Sequence, residues 1–107
     1  MKAHWESNGR VWVNQECIKE CWEKIQPWLD ISVLYSHLVS HHIANSDEDY
    51  HNLIGGNYAP SKVKHHLLHK LIPAMSYYGP YLFYMCLLKS GSLGHSSAAS
   101  ELKRVGE

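Results

Sequence analysis

The segment SYYGPYLFYMCLLKSG, Ser76 to Gly91, decides the fold, because its nine residues from Pro80 to Leu88 are all apolar or aromatic. Such a run is a membrane segment, a buried core helix or a surface for another protein. A helix that crosses a bilayer needs ~20 apolar residues, so this run is too short to span. A helix that is apolar on every side belongs at the centre of a bundle, with neighbours on several faces. The expectation is therefore a central helix starting at Gly79 and Pro80 and running to Lys89.

The rest of the composition suits such a core. At 107 residues, 45% hydrophobic and 19% charged, the chain is of the size and apolar content of one independently folding domain. Ten Lys plus Arg balance ten Asp plus Glu. That neutrality gives no field to hold nucleic acid or an anionic membrane, and it removes the repulsion that keeps copies of a protein apart. The start, MKAHWESNGRVW, lacks the apolar core of a signal peptide. The odd cysteine set Cys17, Cys21 and Cys86 suggests reduced thiols. Both features lead to an expected cytoplasmic location.

Upstream, Val11, Ile18, Trp22, Ile25 and Leu29 form a helical stripe, with Cys17, Cys21 and Trp28 beside it. Asn14 is the candidate N-cap, and Pro27 should end or kink this first helix. Asp30 or Ser32 caps a second, with Ile31, Leu34, Tyr35, Leu38 and Val39 as its stripe, ending near His42 with Ile43 closing the core. A short third helix starts at Ser46, has Asp47, Glu48 and Asp49 at the positive end of its dipole, turns Tyr50, Leu53 and Ile54 inward, and stops at Gly55 and Gly56. The fourth, from Pro60 or Ser61 to Met75, carries Val63, Leu67, Leu68, Leu71, Ile72 and Met75, with Pro73 expected to tighten or end its last turn. After the central fifth helix, Leu93, Ala98, Ala99, Leu102 and Val105 recur at helical spacing among glycines and serines. That segment reads as a weak sixth helix or the start of a linker. The expected domain covers residues 11–104, between an N-terminal extension (1–10) and a C-terminal tail or start of a linker (105–107).

For chemistry the sequence offers little. His37 with His41, and His65 with His69, are i,i+4 pairs that place imidazoles on one helix face. A His-rich metal-binding domain built on these four is the alternative function. A structural zinc site needs about four ligands, and neither paired C-x-x-C nor H-E-x-x-H is present, so no metal or other cofactor is expected. No GxxxxGK[ST] phosphate loop occurs, and Cys86 sits in the most apolar run. The expectation is a non-enzyme.

The order of the segments carries a resemblance. In YYGPYLFYMCLL, Gly79 and Pro80 precede an aromatic, Phe83, four residues after the Gly, and Leu87 follows four residues later. LYSHLVSHHIANSDEDYHNL passes from the second to an acidic third helix, and APSKVKHHLLHKL begins basic and continues leucine-rich. These features, over roughly Val13 to Leu102, resemble the caspase recruitment domain (CARD) family of the death fold, and fit the pyrin and death-effector branches less well. The Ser- and Gly-rich sixth segment and Pro73 depart from the family pattern.

The resemblance implies an all-α, six-helix antiparallel bundle with Greek-key connections. It also implies a module of a larger signalling protein in apoptosis or innate immunity, an adaptor that binds other CARD-containing proteins or copies of itself. Family members commonly pair an acidic surface with a basic one. The acidic patch maps to Asp47, Glu48 and Asp49, and the basic patch to Lys62 and Lys64 with Lys19, Lys24 and Lys70. Tyr77, Tyr78, Tyr81 and Tyr84 exceed what a small core needs and are candidate partner contacts. Protonation of His65, His66 and His69 near about pH 6 would enlarge the basic patch.

Overall fold

The computed structural model describes residues 13–75 and 78–106, so Val11 of the first stripe and Tyr77 of the tyrosine cluster lie outside the described residues. Within them the chain forms six helices and no strand, an all-α bundle. These are α1 (Gln15–Ile25), α2 (Ile31–Ser40), α3 (residues 47–55), α4 (residues 60–74), α5 (Gly79–Lys89) and α6 (Leu93–Gly106).

The helix starts follow from local chemistry. Asn14 Oδ1 accepts the Cys17 N–H at 2.9 Å, Asp30 Oδ1 accepts from Ser32 and Val33 at 3.1 and 3.4 Å, and Ser46 Oγ accepts from Asp49 at 3.1 Å. Each side chain satisfies an amide that the helix leaves unpaired. Asp49 closes the third cap by accepting the Asn45 N–H at 3.0 Å. Pro27 converts the end of α1 into a 3-10 turn over Gln26–Trp28.

The end of α2 is a Schellman closure. The His42 N–H reaches the Val39 carbonyl at 3.0 Å and the Ile43 N–H reaches Leu38 at 2.8 Å, while His42 takes the left-handed conformation with φ 63°. Ile43 is thereby driven into the core beside Leu38. After α3 the left-handed residue is Asn57 (φ 59°), not either of the glycines expected to end that helix.

Two helices widen locally. Residues His51–Gly55 and Leu67–Leu71 form π turns. In the second, the Ile72 N–H bonds the Leu67 carbonyl five residues back. Pro73 follows at once: its ring would crowd the carbonyl of His69 in a regular helix, and the wider turn before it relieves that crowding. The helix then ends at Ala74.

α5 is the centre. It packs on α2, on the last turn of α4 and on α6, while α6 also lies along α1, and α3 bridges α2 and the start of α4. Phe83, Cys86 and Leu87 of α5 are fully buried with Ile18, Ile25, Leu34, Leu38, Leu67, Ile72 and Leu102. Phe83 meets the tilted Trp22 ring at 6.3 Å, and burying such a side chain stabilises by about 1.5–3 kcal/mol.

Several expectations are corrected. The sixth segment is not weak: it is an unbroken 14-residue α-helix. It persists despite its serines and glycines because Ala98, Ala99 and Leu102 are buried against α1 and α5, and tertiary packing outweighs propensity. Leu93, assigned to its inner stripe, is 88% exposed, and His95 is completely buried instead. Val39 and Tyr50 also point outward, each more than 40% exposed. Tyr50 stacks edge-on to Tyr35 at 5.4 Å.

Candidate functional site

The acidic turn stands at the N-terminus of α3. Asp47 and Glu48 are exposed and form no ion pair among the described residues. Asp49 is half-buried and its carboxylate is engaged with the Asn45 amide. The patch therefore divides into two outward carboxylates and one that builds the turn.

The basic residues divide as well. Lys19 of α1 and Lys70 of α4 are exposed and act together on His69. α1 and α4 are joined there by Gln15 Nε2, which donates to the Leu68 carbonyl at 3.1 Å. Lys62, at the start of α4, lies over the Tyr58 ring at 4.2 Å, a cation-π contact that holds its ammonium in place. Lys64 is half-buried and lines an open groove of about 490 Å3, with Trp28, Asp30, Leu53, Tyr58 and Pro60. Lys24 is placed elsewhere, bonded to Glu101 of α6 at 3.3 Å.

Histidines border this face. His65 and His69 are exposed, with ring centroids 4.2 Å apart. Desolvation first, then His65, Lys19 and Lys70, hold His69 below the ordinary imidazole range, so its added charge arrives at lower pH. The His66 Nε2 is buried without a hydrogen-bond partner. On α2, His41 Nδ1 lies 3.0 Å from the His37 carbonyl, which leaves His41 only Nε2 for a ligand. Among the described residues no three His, Cys, Asp or Glu side chains converge where they could hold a metal ion. The four histidines of the alternative reading thus remain two separate pairs.

Of the tyrosines, Tyr78 is 53% exposed, Tyr81 is half-buried and Tyr84 is buried. The Tyr81 and Tyr84 rings lie 6.1 Å apart. Cys86 donates to the His37 carbonyl at 3.3 Å, and burial pushes its thiol up to about 12. Cys21 is likewise pushed up to about 11, by burial and then by the Glu101 carboxylate. Neither is poised as a thiolate nucleophile.

Sequence reasoning missed two polar centres on α6. Glu101 has a side chain only 11% exposed, accepts from Arg104 Nε at 3.1 Å and pairs with Lys24, tying α6 to α1. The Arg104 guanidinium first, against desolvation, and then Lys24 hold its carboxyl below the usual range. His95 is the other. Its offsets to Ala98, Ala99 and Leu102 are the three, four and seven of a buried helical face, a signal hidden because histidine was not counted as a core residue.

No helix among the described residues is long and apolar enough to cross a membrane. No protein-family model, curated protein or solved structure matches this chain.

Proposed function

We propose that this domain is a non-enzymatic, cytoplasmic adaptor of the CARD type, which binds CARD-containing proteins or further copies of itself in apoptotic or innate-immune signalling. One observation carries the reading. On a chain with zero formal net charge, the outward carboxylates of Asp47 and Glu48 and the outward ammonium groups of Lys19, Lys62 and Lys70 form no ion pairs with one another among the described residues. Opposite charges left unsatisfied within one molecule are available between molecules, where they steer association and fix its register.

The packing order adds support. The first helix lies on the last, and the fifth is enclosed by the second, fourth and sixth, the kind of closure a six-helix Greek-key bundle needs. The acidic turn and the basic face of α1 and α4 sit on different elements, so a contact between them is heterologous and extends from copy to copy. Such a contact weakens as salt rises, because both patches are exposed.

The test is charge reversal followed by complementation. Asp47→Lys with Glu48→Lys should abolish concentration-dependent assembly in sedimentation velocity and leave helicity unchanged. Lys19→Glu with Lys70→Glu should do the same, and mixing the two variants should restore association. Identical sedimentation of parent and both variants would refute the assignment.

A further inference from the structure

His95 is completely buried where the start of α6, the end of α5 and the turn between α1 and α2 meet. Its Nε2 lies 2.9 Å from the backbone nitrogen of Asp30. Its Nδ1 lies 2.7 Å from Ser90 Oγ, and that oxygen lies 3.0 Å from the Leu87 carbonyl.

The direction of these bonds is fixed by chemistry. A backbone N–H can only donate, so Nε2 is unprotonated and accepts. The neutral ring then carries its proton on Nδ1 and donates to Ser90, and the Ser90 hydroxyl donates to Leu87. The same direction prevents this imidazole from taking the Ser90 proton, so the pair is not an activated nucleophile. The seat is also tight: a Cβ on neighbouring Gly94 would stand 2.8 Å from the Trp28 carbonyl oxygen.

We propose that His95 is a latch opened by acid, holding α6 to the α1–α2 turn only while the ring is neutral. A second proton, on Nε2, turns the acceptor into a donor that faces the Asp30 N–H. Two N–H groups cannot bond, and the ion is left buried.

The neighbours do not supply an easy escape. Asp30 faces the ring from the turn, His37 from α2 and Ser90 from the end of α5. The Asp30 carboxylate favours the charged ring, but it already caps α2 through Ser32 and Val33. Swinging it to the imidazolium would uncap that helix, so the turn is remodelled by either route. His37 opposes the added charge. Desolvation dominates and holds His95 below the ordinary imidazole range. The stability contributed by the neutral ring is therefore full above the unfolded value of about 6.5 and is lost as pH falls below it toward the folded value. The loosened turn includes Trp28 and Asp30, one wall of the groove that Lys64 lines. Acid thus reshapes a surface next to the basic face.

The experiment uses the whole chain and its Asp30 amide, read by NMR hydrogen exchange and corrected for the intrinsic rate at each pH. From about pH 7.5 to about pH 5, protection in the parent should fall by up to about tenfold per pH unit once below about 6.5. His95→Gln offers the same N–H a carbonyl that does not titrate, and its Asp30 protection should stay flat. Protection independent of pH in the parent, or an equal fall in His95→Gln, would overturn the proposal. If that variant does not fold, the ring tautomer of the parent decides: long-range 15N spectra should place the proton on Nδ1 at neutral pH, and a proton on Nε2 would overturn the latch.

Discussion

Gly79→Ala should destabilise the bundle although alanine is the better helix former. Gly79 is buried at the first position of α5. A Cβ there would stand 2.1 Å from the Ile72 carbonyl oxygen, 3.0 Å from Met75 Cβ and 3.1 Å from the Ile72 carbonyl carbon, where ordinary contact begins at 3.4 Å. The nearest atom is too close by more than an ångström and belongs to the backbone, so no side-chain rotation relieves it. α5 must move from the end of α4, loosening Ile72 and Phe83, both fully buried. Overpacking of this kind costs about 1–3 kcal/mol, and the forced backbone shift places Gly79→Ala at the upper end. The intrinsic helix preference for alanine returns at most about 1 kcal/mol, leaving a net loss of about 2 kcal/mol, a large share of a stability of roughly 5–15 kcal/mol.

The assay is equilibrium urea unfolding followed by far-UV circular dichroism, with a lower midpoint and an unchanged slope expected. Gly91→Ala is the control. Gly91 has φ 75° and nothing near its missing Cβ, so the cost there is backbone conformation alone, about 1 kcal/mol. A Gly79→Ala protein as stable as the parent, or less affected than Gly91→Ala, would refute the close-approach argument. The same contact accounts physically for the glycine that opens α5 in this chain.

Glu101→Gln should lower thermal stability at neutral pH. Because the Glu101 carboxyl is held low by Arg104 and Lys24, its contribution is full above the unfolded value of about 4.3 and lost as pH falls through the folded one. Melting curves of parent and variant should converge in acid, and a gap that stays constant with pH would contradict the ion-pair origin. Cys86, with its thiol pushed up to about 12 inside the core, should resist iodoacetamide in the folded protein and react after unfolding. Rapid native labelling detected by mass spectrometry would reopen a thiol chemistry for this chain.

The helices and their starts were legible in the sequence because their causes lie within a few residues. Asn14, Asp30 and Ser46 cap amides two or three positions away, and Ile18, Leu38, Leu67 and Phe83 show the burial their spacing implies. The acidic turn was legible for the same reason, although the duty of Asp49 within it rests on the Asn45 backbone. The basic set was only partly legible. Five lysines share a charge in the sequence, but whether one is spent inside the molecule depends on what lies opposite, and only the fold sets Glu101 against Lys24.

What the sequence determined by itself is the helical type of the elements, the first five of them and the apolar centre at α5, since helix periodicity and capping are local properties of the chain. The tertiary structure decided that the Ser- and Gly-containing last segment is a full helix, that Leu93 faces outward and that His95 lies inside. The reason is distance along the chain. The amide that satisfies His95 belongs to Asp30, 65 residues earlier, and a polar ring enters a core only where such a partner waits for it.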